Sequence, residues 1–85
     1  MISESDYKRL CWASRRGMLE LDLMLVPFVE QCFKSLSAED QQRYINLVSC
    51  EDTDLFQWCL GRGVPDDADH AAIVEQIITY ARTPR

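Results

Sequence analysis

The single histidine, His70, lies among Asp66, Asp67 and Asp69, the residue types that ligate metals or relay protons. One imidazole with carboxylates at adjacent positions does not converge on a cation, since a zinc site draws several nitrogen or sulfur ligands into a tight shell. His70 is therefore read as a surface residue in the first turn of a helix. The sequence shows no orienting partner for it in a Ser-His-Asp or Cys-His arrangement, and there is no glycine-rich phosphate loop. The four cysteines (Cys11, Cys32, Cys50, Cys59) contain no C-x-x-C pair, and each sits among apolar neighbours at helical spacing. That pattern predicts buried free thiols. Glu51, Asp52 and Asp54 fall at an expected helix start, where carboxylates stabilise exposed backbone amides. No residue is assigned a catalytic or metal-binding role.

The segment from Trp12 to Asp22 is different, because packing and capping do not account for all of it. Arg15, Arg16, Gly17, Glu20 and Asp22 place two guanidiniums, a backbone without a side chain and two carboxylates within eight positions. Guanidinium forks and exposed amides suit recognition of carboxylates on a partner surface. Lys8, Arg9, Arg15 and Arg16 gather four of the nine basic residues at this end, which predicts a local anionic contact. Trp12, which falls off the apolar stripe of its helix, and Trp58 are each open to two readings, exposed as an extension of such a surface or buried.

The elements that must hold this segment are all helical. Ser3 with Asp6 can start a first helix, with Tyr7, Leu10, Cys11 and Ser14 as its buried stripe. It is expected to run to about Arg15 and to end at Gly17, which accepts the positive φ of a helix C-terminus. From Met18 a second helix is predicted through Leu36, with Leu21, Leu25, Phe28, Val29, Cys32 and Leu36 inward and a kink at Pro27. Leu19, Leu23, Met24, Val26 and Phe33 make it apolar nearly all round, so it is expected to be the most buried element. Ser37 with Asp40 opens a third helix with Tyr44, Ile45, Leu47 and Val48 inward, ending near Cys50. Asp52 or Thr53 should cap a fourth through Leu60, stopped by Gly61, Gly63 and Pro65. Asp66 and Asp67 precede a fifth with Ile73, Val74, Ile77, Ile78 and Ala81 on its apolar face. The fold class is thus all-α: a compact bundle of about five short helices forming one domain over residues 1–85.

An 85-residue chain buries somewhat more than about 60% of its unfolded surface, which leaves little core for an internal active site. It is 47% apolar and 27% charged, the composition of a folded domain. A net charge of −5 opposes binding to phosphate backbones, so nucleic acid is excluded as a partner. The opening Met-Ile-Ser-Glu-Ser-Asp lacks a signal-peptide pattern. The apolar stretch from Leu23 to Val29 is far too short for a bilayer span. A cytoplasmic protein without membrane insertion is expected.

The string Arg15-Arg16-Gly17-Met18-x-Glu20-Leu21-Asp22 resembles the R-G-x-x-E signature of the SdhE family, flavinylation factors also called succinate dehydrogenase assembly factor 2. The likeness continues through Pro27-Phe28, then Glu51-Asp52-x-Asp54-Leu55-Phe56-x-Trp58, then Gly63-x-Pro65, in the same order and over nearly the whole chain. Thr53 departs from the Asp-Pro-Asp helix start that many members resemble, a change expected to alter only the cap. The resemblance implies a small all-helical assembly factor, not an enzyme, that promotes covalent attachment of FAD to the flavoprotein subunit of succinate dehydrogenase and of the related fumarate reductase. The bond forms on a histidine of the client, so this chain is expected to hold no cofactor stably. Carried over residue by residue, the signature makes Arg15, Arg16, Gly17 and Glu20 the contact surface, with Met18 and Asp22 as supports. Two alternatives stay open: direct binding and delivery of FAD, and an antitoxin or regulatory adaptor that also works through a protein-binding surface.

Overall fold

The computed structural model describes residues 2–83. Five α-helices follow in order: α1 (Glu4–Ala13), α2 (Leu19–Gln31), α3 (Ala38–Leu47), α4 (Asp52–Cys59) and α5 (Ala68–Arg82), with a 3-10 turn at Phe33–Ser35 after α2. The described residues contain no strand, and the all-α fold is as the periodicity predicts. α2 is the central element and packs against α1, α4 and α5, while α3 packs along α5.

The helix starts that sequence can specify are local, and they form as expected. Ser3 Oγ accepts from Asp6 N at 3.1 Å, and Ser37 Oγ accepts from Asp40 N at 3.1 Å. Asp67 caps α5 by accepting from the amides of Asp69 and His70. The core is built from Leu21, Leu25, Phe28 and Val29 of α2, Phe33 of the 3-10 turn, Tyr44 and Leu47 of α3, Leu55 of α4, and Ile73 and Ile77 of α5.

Several boundaries differ from expectation. α1 stops at Ala13, and its C-cap is Ser14, buried with its hydroxyl on Leu10 O at 2.9 Å and sharing a 2.7 Å hydrogen bond with Tyr44 Oη. Gly17 does have a positive φ of 82°, but it lies beyond that cap, inside the α1–α2 connection. α2 runs through Pro27 as one helix but stops at Gln31 rather than Leu36. There the chain tightens so that Phe33 enters the core, and buried Gln41 donates to Phe33 O at 3.0 Å. α3 likewise ends at Leu47, short of Cys50. α4 has Glu51 as its N-cap, with no side-chain hydrogen bond, in place of the expected Asp52 or Thr53, and the Asp52 carboxylate accepts from Arg16 instead.

Burial also departs from the apolar pattern. α2 is central without being covered all round: Leu19 and Leu23 are 75% and 64% exposed. Ala81 is exposed on α5, and Ile45 and Ile78 are half-buried. All four cysteines are free thiols, yet only Cys59 is buried, where desolvation pushes it up to about 11.

At the α3–α5 seam Arg43 bonds Asp40 at 2.8 Å and Asp69 at 2.9 Å, while Gln76 donates to the other Asp40 oxygen at 2.9 Å. The Gln76 bond, followed by Arg43, holds the Asp40 carboxyl below its ordinary value. The unfolded chain therefore takes up this proton first as pH falls. The stabilisation is complete above the ordinary aspartate range and is lost as pH drops through it and below. Urea midpoints measured from pH 7 down to about 3 should decline at the acid end, and Asp40→Asn should flatten that decline. Leu25, fully buried in α2, should cost about 2–5 kcal/mol as Leu25→Ala in the same assay.

Candidate docking site

The connection between α1 and α2 is shaped by one side chain. Arg16 is only 16% exposed at its side chain and points into the molecule. Its Nε donates to Asp52 Oδ1 at 2.6 Å, Nη1 donates to Ala13 O at 2.7 Å and to Val48 O at 2.9 Å, and Nη2 donates to Cys50 O at 2.9 Å. Four of the five guanidinium N–H groups are thereby used. Ala13 and Val48 lie at the C-terminal ends of α1 and α3, where unsatisfied carbonyls carry partial negative charge. Asp52 opens α4, where a carboxylate is favourable. One cation thus joins two helix C-termini, one helix N-terminus and the α3–α4 link.

Asp22 fixes the other side of the turn. It lies in the first turn of α2, and its Oδ1 accepts from Arg16 N at 2.8 Å while Oδ2 accepts from Gly17 N at 3.2 Å. The N-cap of α2, Met18, offers no side-chain acceptor, so Asp22 satisfies backbone donors just ahead of the helix. Gly17 takes a left-handed conformation in which a Cβ would meet no atom within 4 Å. The demand for glycine there is conformational, and the space above it is open.

The six residues marked by the sequence therefore separate into two groups. Arg15, Gly17 and Glu20 are exposed. Arg16 and Asp22 hold the turn from within, and Met18 is half-buried against the core. The expectation of two guanidiniums displayed on one corner is corrected: Arg15 is displayed and Arg16 is consumed internally. Of the two readings open for Trp12, exposed or buried, the structure shows the first, with the side chain 76% exposed. The exposure of Leu19 and Leu23 was missed, although a chain this small has no second layer to cover both sides of an apolar helix.

His70 is not a plain surface residue. It is half-buried, its Nε2 lies 3.6 Å from Cys50 Sγ, and its ring sits 6.0 Å from that of Trp58. Its Nδ1 is buried with no hydrogen-bond partner. The structure thus makes a Cys–His contact that spacing could not reveal. Burial, then Asp54, pushes the Cys50 thiol up, the opposite of what a nucleophilic cysteine requires. Among the described residues, no group of three or more His, Cys, Asp or Glu side chains is placed to hold a metal ion.

Residues 8–81 match the protein family described as flavinator of succinate dehydrogenase. The chain is 53% identical over 78 residues to the FAD assembly factor SdhE of Pseudomonas aeruginosa, covering 92% of this chain and 93% of that protein. It is 42% identical over 80 residues to the FAD assembly factor SdhE of Aliivibrio fischeri, covering 94% and 93%. A solution structure described as a UPF0350 protein is similar with a TM-score of 0.76 at 40% identity, covering 94% of this chain and 85% of that one.

The internal role of Arg16 has a measurable cost. Arg16→Ala strands several helix-end carbonyls and should destabilise the fold by about 2–4 kcal/mol in urea. Arg16→Lys should recover only part of this, since an ammonium cannot span the same fork. Asp22→Asn retains one acceptor and should speed hydrogen exchange at the Arg16 or Gly17 amide without moving the rest of α2.

Proposed function

The chain belongs to the family of succinate dehydrogenase flavinators, and from that premise we propose that it docks on the flavoprotein subunit of succinate dehydrogenase and promotes covalent attachment of FAD to that subunit. Arg15, Gly17 and Glu20 form the contact, while Arg16, Asp22 and Met18 hold it in shape. The whole chain works as one domain, in the cytoplasm, and the flavoprotein of the related fumarate reductase is a second client. The chemistry of the flavin bond stays on the client, and this chain holds no FAD of its own.

The observation that carries this reading is the inward commitment of Arg16. A rigid connection keeps an exposed carboxylate and an uncovered glycine backbone in fixed relation before any partner arrives, which lowers the ordering cost of association. The same observation weighs against FAD delivery. A pyrophosphate would need free cations, and of the two adjacent arginines only Arg15 is available. No described helix is long and apolar enough to cross a membrane.

Docking promotes flavinylation if the factor binds better to the client arrangement in which FAD and its acceptor side chain are aligned. The population of that arrangement then rises by the ratio of the two affinities, and no further.

Flavin fluorescence of the denatured client subunit, resolved on a gel from cells lacking this protein, tests the reading. Restoring the wild-type chain should restore the band, and Glu20→Ala should lower it by about tenfold or more, equivalent to the loss of one charge-assisted contact. Gly17→Ala and Gly17→Arg carry the same backbone strain, so a greater loss with Arg reports blocked approach and not misfolding. An unchanged band in cells lacking the protein would refute the assembly role.

A further inference from the structure

Three carboxylates, Glu51, Asp52 and Asp54, stand at the start of α4, and the structure treats them differently. Glu51 and Asp54 are exposed, and among the described residues neither forms an ion pair. Asp52 is half-buried, and its Oδ1 accepts from Arg16 Nε at 2.6 Å across 36 residues of chain. The N-cap of α4 is Glu51, so capping does not account for Asp52.

Arg16 is gripped from two directions. Asp52 holds the guanidinium, while Asp22 of α2 accepts from the Arg16 and Gly17 amides at 2.8 and 3.2 Å. The remaining bonds of the guanidinium go to the carbonyls of Ala13, Val48 and Cys50. Carbonyls at helix ends carry only partial charge. Asp52 is thus the only full negative charge bonded to this cation among the described residues. A guanidinium that is only 16% exposed has lost much of its hydration, and without a counter-charge the balance tips toward turning the side chain out to water. The long arginine stem permits that move without unfolding the bundle. The bonds to the three carbonyls would be lost with it. Gly17, next in the chain, and the start of α2, tied to Arg16 N through Asp22, would then no longer be fixed against α4.

Resting on the docking reading above, we propose that Asp52 is a positioning residue for docking: it keeps Arg16 turned inward, and through Arg16 and Asp22 it holds Gly17 and Glu20 in place, without itself touching the flavoprotein subunit. The acidic start of α4 then divides as the signature does. Asp52 serves the turn from inside, and Glu51 and Asp54 remain on the surface with no part in placing it. Association is favoured because the corner is ordered before the partner arrives, and loss of Asp52 would return that ordering cost to the binding step.

Binding of the full chain to the purified flavoprotein subunit without covalent flavin, measured by biolayer interferometry as a double-mutant cycle, tests this. Asp52→Ala should weaken binding by about tenfold, and Asp52→Asn, which keeps a neutral acceptor for Nε, by about threefold. Asp54→Ala, at the same helix start, should stay within about twofold of the wild type. Asp40→Asn, which loosens the α3–α5 seam, should lower the thermal midpoint with an equally small effect on binding. In a Glu20→Gln background, Asp52→Ala should cost about threefold or less, because the contact that it places is already weakened. Hydrogen exchange at the Arg16 or Gly17 amide should quicken in Asp52→Ala, distant as the two sites are in the chain. The proposal is overturned if Asp52→Ala binds like the wild type, or if its effect and that of Glu20→Gln multiply in full, since Asp52 would then be a contact in its own right. A loss of binding in Asp40→Asn as large as in Asp52→Ala would reduce the effect to stability and overturn it too. If the wild-type chain does not bind the subunit, the docking reading itself fails and this proposal with it.

Discussion

A guanidinium that is mostly buried must have its donors satisfied, and in this protein that requirement organises the connection between α1 and α2. Arg16 meets it with Asp52 and with carbonyls of Ala13, Val48 and Cys50. The ends of α1 and α3, the link between α3 and α4, and the start of α4 are therefore placed relative to one side chain. Asp22 completes the arrangement by receiving the amides of Arg16 and Gly17. The positive φ of Gly17, the outward direction of Arg15 and the start of α2 beneath Glu20 all depend on that turn. A signature that reads as a set of contacts thus contains both exposed residues and the clamp that holds them in shape.

The same economy governs burial. A bundle of this size can enclose one apolar side of each helix and little else. α2 offers more apolar surface than the other helices can cover, and the excess, Leu19 and Leu23, stays exposed, as does Trp12 of α1. Surface of this kind has a cost in solubility that a net charge of −5 helps to offset. The arrangement suits a protein whose work is done on the outside, by gripping a larger partner, with the chemistry left to that partner.

The sequence made the helices legible because their signals are local. The caps at Ser3, Ser37 and Asp67 each act within three residues, and Leu21, Leu25, Phe28 and Val29 of α2 and Ile73, Val74 and Ile77 of α5 turn inward as helical periodicity predicts. What the sequence did not show lies in contacts between distant positions. The Arg16–Asp52 pair spans 36 residues and the Cys50–His70 contact spans 20, so Asp52 looked like a cap and His70 like a surface residue. The end of α2 was misplaced because apolar periodicity continues through Cys32 and Leu36, whereas the chain turns to bury Phe33. The six signature residues were found by resemblance, but their separation into exposed and inward-facing groups needed coordinates.

The most direct test of the central claim, a docking factor that leaves the flavin to its client, is isothermal titration calorimetry with two ligands. The account predicts that the chain binds the flavoprotein subunit lacking covalent FAD, that Glu20→Ala abolishes or strongly weakens this binding while remaining folded, and that free FAD gives no binding heat. Saturable binding of free FAD to the chain alone, with no interaction with the subunit, would contradict it.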